Sequence, residues 1–208
     1  MCTETFLRLP EEKRERFLDA AWEEFTQTGF ADASINQIVR RAGVPRGSFY
    51  QYFSDKDDLF SYLGNIILKH LVAEYRGVMR KAEGDIFRTQ LLCFDRVATH
   101  GSAADLLFER SLRIVRKNPG LLPQAAMQEQ VLYRIFAEVR EDMDVSLLRQ
   151  QDETFVWHTF ALAIVAVAIA VVACLENPEK AESIRCGLVT QLDIMKNGSL
   201  AEPCRESL

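Results

Sequence analysis

The chain of 208 residues has few of the residues that build a disulfide or metal scaffold. Its five cysteines (Cys2, Cys93, Cys174, Cys186 and Cys204) are an odd number without a C-x-x-C pair. That argues against a disulfide framework and a structural zinc site, and for a reducing compartment. Ten glycines and six prolines are too few for a collagen-like or low-complexity chain. His70, His100 and His158 have no metal-ligand spacing, and G-x-S-x-G, a glycine-rich phosphate loop and H-E-x-x-H are all missing. No catalytic residue, metal or cofactor is therefore expected. The opening stretch, MCTETFLRLPEEKRER, has no apolar core of signal-peptide length, so a cytoplasmic protein is expected.

With 48% hydrophobic and 26% charged residues, the composition is that of an ordinary globular chain. A net charge of −5 does not suggest a polyanionic partner, but the charge is unevenly spread. Residues 1–60 hold eight Lys or Arg against eleven Asp or Glu. Within them, residues 34–54 contain no acid and carry Arg40, Arg41 and Arg46, with Lys56 close behind. A short acid-free, Arg-bearing, aromatic-rich window is the local footprint that a phosphate backbone selects.

The periodicity predicts an all-α protein of about nine helices, with no strand-like alternation. Pro10, Glu11 and Glu12 suit a helix start, Phe17, Leu18, Ala21 and Phe25 recur at helical spacing, and Gly29 closes the helix. Ser34 and Gln37 read as a capping box for a second helix from Ile35, which Ala42-Gly43-Val44-Pro45 ends. A third short helix runs from about Arg46 to Tyr52, and Ser54 or Asp55 caps a long fourth towards Arg80. Further helices are predicted near 85–99, 103–117, 122–142, 151–176 and 179–196. The expected division is residues 1–54, a three-helix helix-turn-helix domain, and residues 55–208, a larger helical domain.

Residues 155–175 are free of Asp, Glu, Lys and Arg, a run of transmembrane length. Its flanks, Asp152-Glu153 and Glu176, carry no basic cluster, and it is rich in alanine, suited to close helix approach. A helix apolar all round can equally be buried on every side. We expect a buried interface helix and no membrane; a membrane-tethered regulator spanning at 155–175 is the alternative.

Two short helices joined at Gly43 form a helix-turn-helix, which sets the start of its second helix in the DNA major groove. Arg46, Ser48 and Gln51 are polar side chains there with the donors and acceptors to read base edges. Gly47 lets the backbone approach closely. Tyr50 and Tyr52 offer hydroxyls to phosphates, as does Ser34 at its helix terminus, while Phe49 and Phe53 pack inward.

The run Ser34-Ile35-x-x-Ile38-Val39-x-x-Ala42-Gly43-Val44-x-x-Gly47-Ser48-Phe49-Tyr50-x-Tyr52-Phe53-x-x-Lys56-x-x-Leu59 resembles the N-terminal signature of the tetracycline-repressor-like (TetR) family of transcriptional regulators. Ala20-Ala21, Phe25 and Gly29-Phe30 match it too, so the resemblance covers roughly residues 13–60. It implies base contacts by Arg46, Gly47, Ser48 and Gln51, and phosphate contacts by Ser34, Tyr50, Tyr52 and Lys56. Pro45 departs from the Ser or Thr that often caps the recognition helix in the family, which leaves its first amides without that cap.

The resemblance further implies a homodimer on a pseudo-palindromic operator, with the last two helices at the two-fold interface. Val165, Ile169, Val172, Ile184, Leu188 and Leu192 are the residues expected there. It also implies a small-molecule effector that relieves repression. Tyr62, Phe94, Phe108, Tyr133, Phe136, Trp157 and His158 are expected to line its site, suited to a flat, mostly apolar ligand.

Overall fold

The computed structural model describes residues 2–99, 105–121, 128–146 and 148–199. Among them it has ten α-helices, two short 3-10 turns and no strand. They are α1 (Glu4–Leu7), α2 (Glu11–Asp32), α3 (Ile35–Ala42), α4 (Arg46–Tyr52), α5 (Lys56–Lys81), α6 (Ile86–Ala98), α7 (Leu106–Lys117), α8 (Glu129–Val139), α9 (Glu153–Glu176) and α10 (Ala181–Ser199). The all-α class is as the periodicity predicts. The helix expected at 122–142 is observed as α8, and residues 122–127 lie outside the described part, as do 103 and 104 of the helix expected at 103–117.

Side-chain capping accounts for several helix starts. Asp85 accepts hydrogen bonds from the Phe87 and Arg88 amides at 2.8 and 2.9 Å, Asp105 from Phe108 at 3.0 Å and Asp152 from Phe155 at 3.0 Å. At the start of α5 the capping is reciprocal. Asp55 accepts from the Asp58 amide at 2.8 Å, and Asp58 accepts from the Ser54 amide and hydroxyl at 3.1 Å. The capping box expected of Ser34 and Gln37 is not made. The Ser34 side chain makes no cap bond, and its amide donates instead to Glu24.

Two compact units divide the described chain. The first holds residues 1–70 together with 105–118. Its core is aromatic: Phe6, Phe17, Phe49 and Phe53 are all fully buried, and the Phe17 and Phe53 rings stack at 5.9 Å. Burying each such side chain contributes about 1.5–3 kcal/mol. Phe6 comes from α1, a helix the sequence reading did not foresee. Thr3 fixes it by donating from its amide to the Tyr52 carbonyl at 3.0 Å and from its hydroxyl to the Gln51 carbonyl at 2.6 Å.

The helix α7 also belongs to this unit, whereas the sequence reading put it in a domain of residues 55–208. It packs along α2. Arg110 pairs with Asp19 at 2.8 Å and lies over the Trp22 ring at 5.8 Å. Where α2 kinks at Gly29 (φ 79°), the Phe30 amide donates to Asn118 Oδ1 at 3.1 Å.

The second unit holds residues 71–104 and 119–208. Here α6, α9 and α10 pack mutually and α8 lies on α9. Arg185 on α10 grips Asp95 on α6 through two hydrogen bonds of 2.6 and 3.0 Å. The inner side of α9 carries Val156, Phe160, Ala163, Val167, Ala170 and Cys174, all buried, and its alanines let neighbouring helices approach. By length and composition α9 could cross a membrane, with a mean hydropathy of 2.5, but half of that window is buried within the chain.

The outer side of α9 presents Leu162 and Ile169, 58% and 56% exposed, with Val165 and Val172 half-buried on the same side. On α10 the apolar residues divide between two sides. Leu188 and Leu192 are buried within their own unit, and Ile194 is the exposed apolar residue, with Ile184 half-buried. The reason is helical phase, since the side of α10 facing α6 and α9 takes Leu188 and Leu192.

Candidate nucleic-acid interface

The first unit holds α3 rigidly to α2 through one buried carboxylate. Glu24, 2% exposed, accepts from the Ser34 amide at 2.9 Å through Oε1 and from Arg41 Nη1 at 2.7 Å through Oε2. One side chain thus ties down both ends of α3. At its C-terminus Arg16 adds a bond from Nε to the Ala42 carbonyl at 2.9 Å. Gly43 then turns the chain in the left-handed region (φ 66°, ψ 35°), which glycine enters without the Cβ penalty. Pro45 caps α4 by position only and gives no side-chain bond to its first amides.

The geometry separates α4 into two faces. Phe49, Tyr52 and Phe53 point into the aromatic core. Arg46, Gly47, Tyr50 and Gln51 are exposed, and Ser48 and Ser34 are half-buried. Arg46 reaches back to Asn36 on α3, its Nη1 donating at 2.7 Å, so the guanidinium is steered along the face that α3 and α4 share. A Cβ on Gly47 would meet nothing within 4 Å, so the surface there is open to an approaching molecule.

Two expected phosphate ligands are engaged inside the protein. Tyr52 is 8% exposed, with its ring 5.7 Å from Phe6 and 5.5 Å from Phe17. Lys56 Nζ donates to the Phe30, Ala31 and Ala33 carbonyls at 2.7, 3.0 and 3.2 Å and lies over the Phe30 ring. Its charge sits at the carbonyl end of α2, where the helix dipole favours a cation. Arg41, counted in the acid-free window, is neutralised by Glu24. The cationic face is therefore Arg40 and Arg46, both exposed.

The sequence reading missed Glu24. Its phase held the signal, for Phe17, Ala21, Glu24 and Phe25 share one helical stripe and all four are buried. An acid on an apolar stripe demands a partner.

The residues expected to line an effector site are divided between the two units. Tyr62 lies in the first unit, against Phe6 and Phe53 at 5.6 Å, and Phe108 on α7 belongs to that unit too. Tyr133, Phe136 and Trp157 form a cluster in the second unit with ring separations of 5.4 to 6.1 Å, and Phe94 is fully buried there. His158 is exposed on α9, turned away from the inward-facing Phe160.

A family model described as bacterial regulatory proteins, tetR family, matches residues 17–63, the segment that carries this helix-turn-helix. Over that segment the chain is TetR-like. The HTH-type transcriptional regulator HbdR of Aromatoleum sp. (strain CIB) is 36% identical to it over 87 residues, 41% of this chain and 36% of that protein. SrpR of Pseudomonas putida, also an HTH-type transcriptional regulator, is 50% identical over 46 residues, 22% of each chain. The chain thus spans about a third or less of the length of these relatives. The fold reaches further. A transcriptional regulator from Rhodococcus sp. Rha1 superposes with a TM-score of 0.61 at 19% identity, covering 91% of this chain and 98% of that one. A TetR-family regulator from Pectobacterium atrosepticum gives 0.59 at 20%, covering 93% and 96%.

Proposed function

We propose that the protein is a cytoplasmic transcriptional regulator, a repressor that binds a pseudo-palindromic DNA operator as a homodimer and is released by a small, mostly apolar molecule. The observation that carries the reading is the outward face of α4. It offers a guanidinium, an amide, a hydroxyl and an open glycine from a helix whose other face is locked into an aromatic core. Arg46, Gly47, Ser48 and Gln51 are the base-reading positions, and Arg46 suits guanine through two parallel bonds. Tyr50 and Ser34 are the phosphate contacts that this conformation leaves available.

Dimerisation is supported by the outer stripe of α9. Leu162, Val165, Ile169 and Val172 repeat at the spacing of a helix–helix seam, and Ile184 and Ile194 on α10 extend it. A two-fold dimer presents two recognition helices roughly 34–36 Å apart or a multiple of that, one DNA turn. The effector acts by shifting the population towards a conformer that no longer matches that spacing, and only as far as its differential affinity allows.

Selection from a random DNA pool, followed by fluorescence anisotropy, tests the reading. A palindromic sequence should be enriched, and Arg46→Ala should relax its recognition at one base position, costing about 1–3 kcal/mol. Enrichment of no sequence by the wild-type chain would refute it.

A further inference from the structure

The interior of the second unit holds one polar group too many. Gln90 on α6 is fully buried. Its Nε2 donates to the Tyr75 hydroxyl at 2.7 Å, and its Oε1 has no hydrogen-bond partner. Turning the amide over exchanges the two atoms and strands an N–H group instead. In either setting one end of a buried amide is unpaired. Buried donors and acceptors are nearly always paired, so such an orphan calls for an occupant.

Its surroundings define what that occupant is. The Tyr75 ring meets Phe160 edge-on at 6.1 Å, Phe160 meets Phe136 at 5.5 Å, and Phe136 meets Trp157 at 5.4 Å. Trp157 in turn touches Tyr133, which is 53% exposed. An aromatic run therefore leads from the surface to the unpaired amide. Charge is missing along it. The buried polar side chains of this unit, among the described residues, are Thr89, Gln90 and Thr159, all uncharged. Burial raises the Tyr75 phenol well above its ordinary range and pushes the Cys93 thiol up to about 12, so both stay neutral.

We propose that Gln90 is the polar anchor of the effector site and that the effector is an uncharged aromatic molecule carrying a hydroxyl group. This rests on the effector-responsive reading above. A hydroxyl both donates and accepts, so it completes Gln90 in either setting of the amide. The rings pack against Phe136 and Phe160 in the offset or edge-on geometries that aromatic faces favour. A carboxylate or an ammonium would lose its water there, and Arg96, the cation felt at Cys93, is already paired with Glu74.

Calorimetric titration of the full chain with isosteric compounds decides it. The one-ring set is phenol, toluene, benzoate and benzylammonium; the two-ring set is naphthol, methylnaphthalene, naphthoate and naphthylmethylammonium. In at least one set the hydroxyl compound should bind about tenfold more tightly than the methyl compound, about 1.4 kcal/mol, and the charged compounds more weakly still. In Gln90→Leu that preference should vanish while affinity for the methyl compound is kept. The double variant Tyr75→Phe, Gln90→Leu removes both polar partners and should unfold at no lower temperature than the wild type, which separates loss of the anchor from misfolding.

Equal binding of hydroxyl and methyl compounds would mean that water alone completes Gln90, and would overturn the proposal. Tighter binding of a charged compound, binding of neither set, or a preference that survives Gln90→Leu would overturn it too. Operator selection is read separately on the same protein. A chain that selects an operator and binds no hydroxyl compound loses the anchor alone; one that binds it and selects no DNA loses the regulator reading.

Discussion

Arg41 reaches from the last turn of α3 to a Glu24 carboxylate that is almost wholly buried on α2, 2.7 Å away. The two partners are unequal, because the Arg41 side chain is 30% exposed and that of Glu24 only 3%. Removing one partner of a buried pair is costly chiefly through the charge left behind. Arg41→Ala strands a buried carboxylate, with only the Ser34 amide to satisfy it. Glu24→Gln instead leaves a guanidinium that can turn to water and keeps an acceptor for Ser34. Arg41→Ala should therefore destabilise the protein more, by about 3 kcal/mol, than Glu24→Gln. Urea unfolding of the two variants checks the order; a larger loss in Glu24→Gln would refute this account.

The same contrast explains what could be read in advance. The helix-turn-helix was legible because its punctuation is local: Gly43 and Pro45 act within a few residues of themselves. The short α1 was not, since its anchors, the Thr3 bonds to Gln51 and Tyr52, close a gap of about fifty residues. For α9 the sequence announces a helix but not its orientation. A run apolar all round carries no periodicity to say that Phe160 faces in while His158 and Leu162 face out. Leu188 and Leu192 on α10 are illegible for a related reason, because apolar residues beside an interface look like apolar residues within it. Likewise α7 has the composition of any amphipathic helix, and nothing in it names α2 as its neighbour.

Three glycines separate backbone strain, crowding and access. At Gly43 the left-handed φ of 66° is the only obstacle, and Gly43→Ala should cost about 1–2 kcal/mol. Gly84 has a φ of 81°, and its Cβ would collide with the Asp144 amide nitrogen, so backbone must move. Gly84→Ala should be distinctly worse than Gly43→Ala. Gly47 lies inside α4 in open space, so Gly47→Ala should leave stability unchanged or raise it by about 0.5–1 kcal/mol. Operator affinity should nonetheless fall, because the added methyl occupies the surface offered to DNA. Thermal melts and anisotropy on the three variants test the series; full affinity in Gly47→Ala would remove that glycine from the interface.

Lys56 divides a structural role from an electrostatic one. Its three carbonyl acceptors predict that Lys56→Met loosens the end of α2 and lowers stability by about 1.5–3 kcal/mol, the range for hydrogen bonds to a charged group. If the ammonium stays on those carbonyls, the salt dependence of operator binding should be unaltered. A slope of log K against log salt reduced by about one would return Lys56 to the phosphate contacts.

Cys93 predicts a change in alkali. An unperturbed thiol titrates near 8.5, whereas burial pushes Cys93 up to about 12 in the folded chain. Above about pH 8.5 the unfolded chain releases this proton and the folded chain keeps it, so the folded state binds more protons and stability falls as pH rises. The stabilisation from the neutral thiol is fully present below that pH and is lost progressively on the way to 12. Urea unfolding at a series of alkaline pH values should show the decline, and Cys93→Ala should flatten it relative to the wild type. Reactivity supplies an independent readout, since the thiolate is the nucleophile. At pH 8 a maleimide should label the exposed Cys186 well before Cys93, with mass spectrometry of the peptides giving the order. Labelling of Cys93 first would mean that water reaches the interior beside Tyr75, and the decline in alkali should then be absent as well.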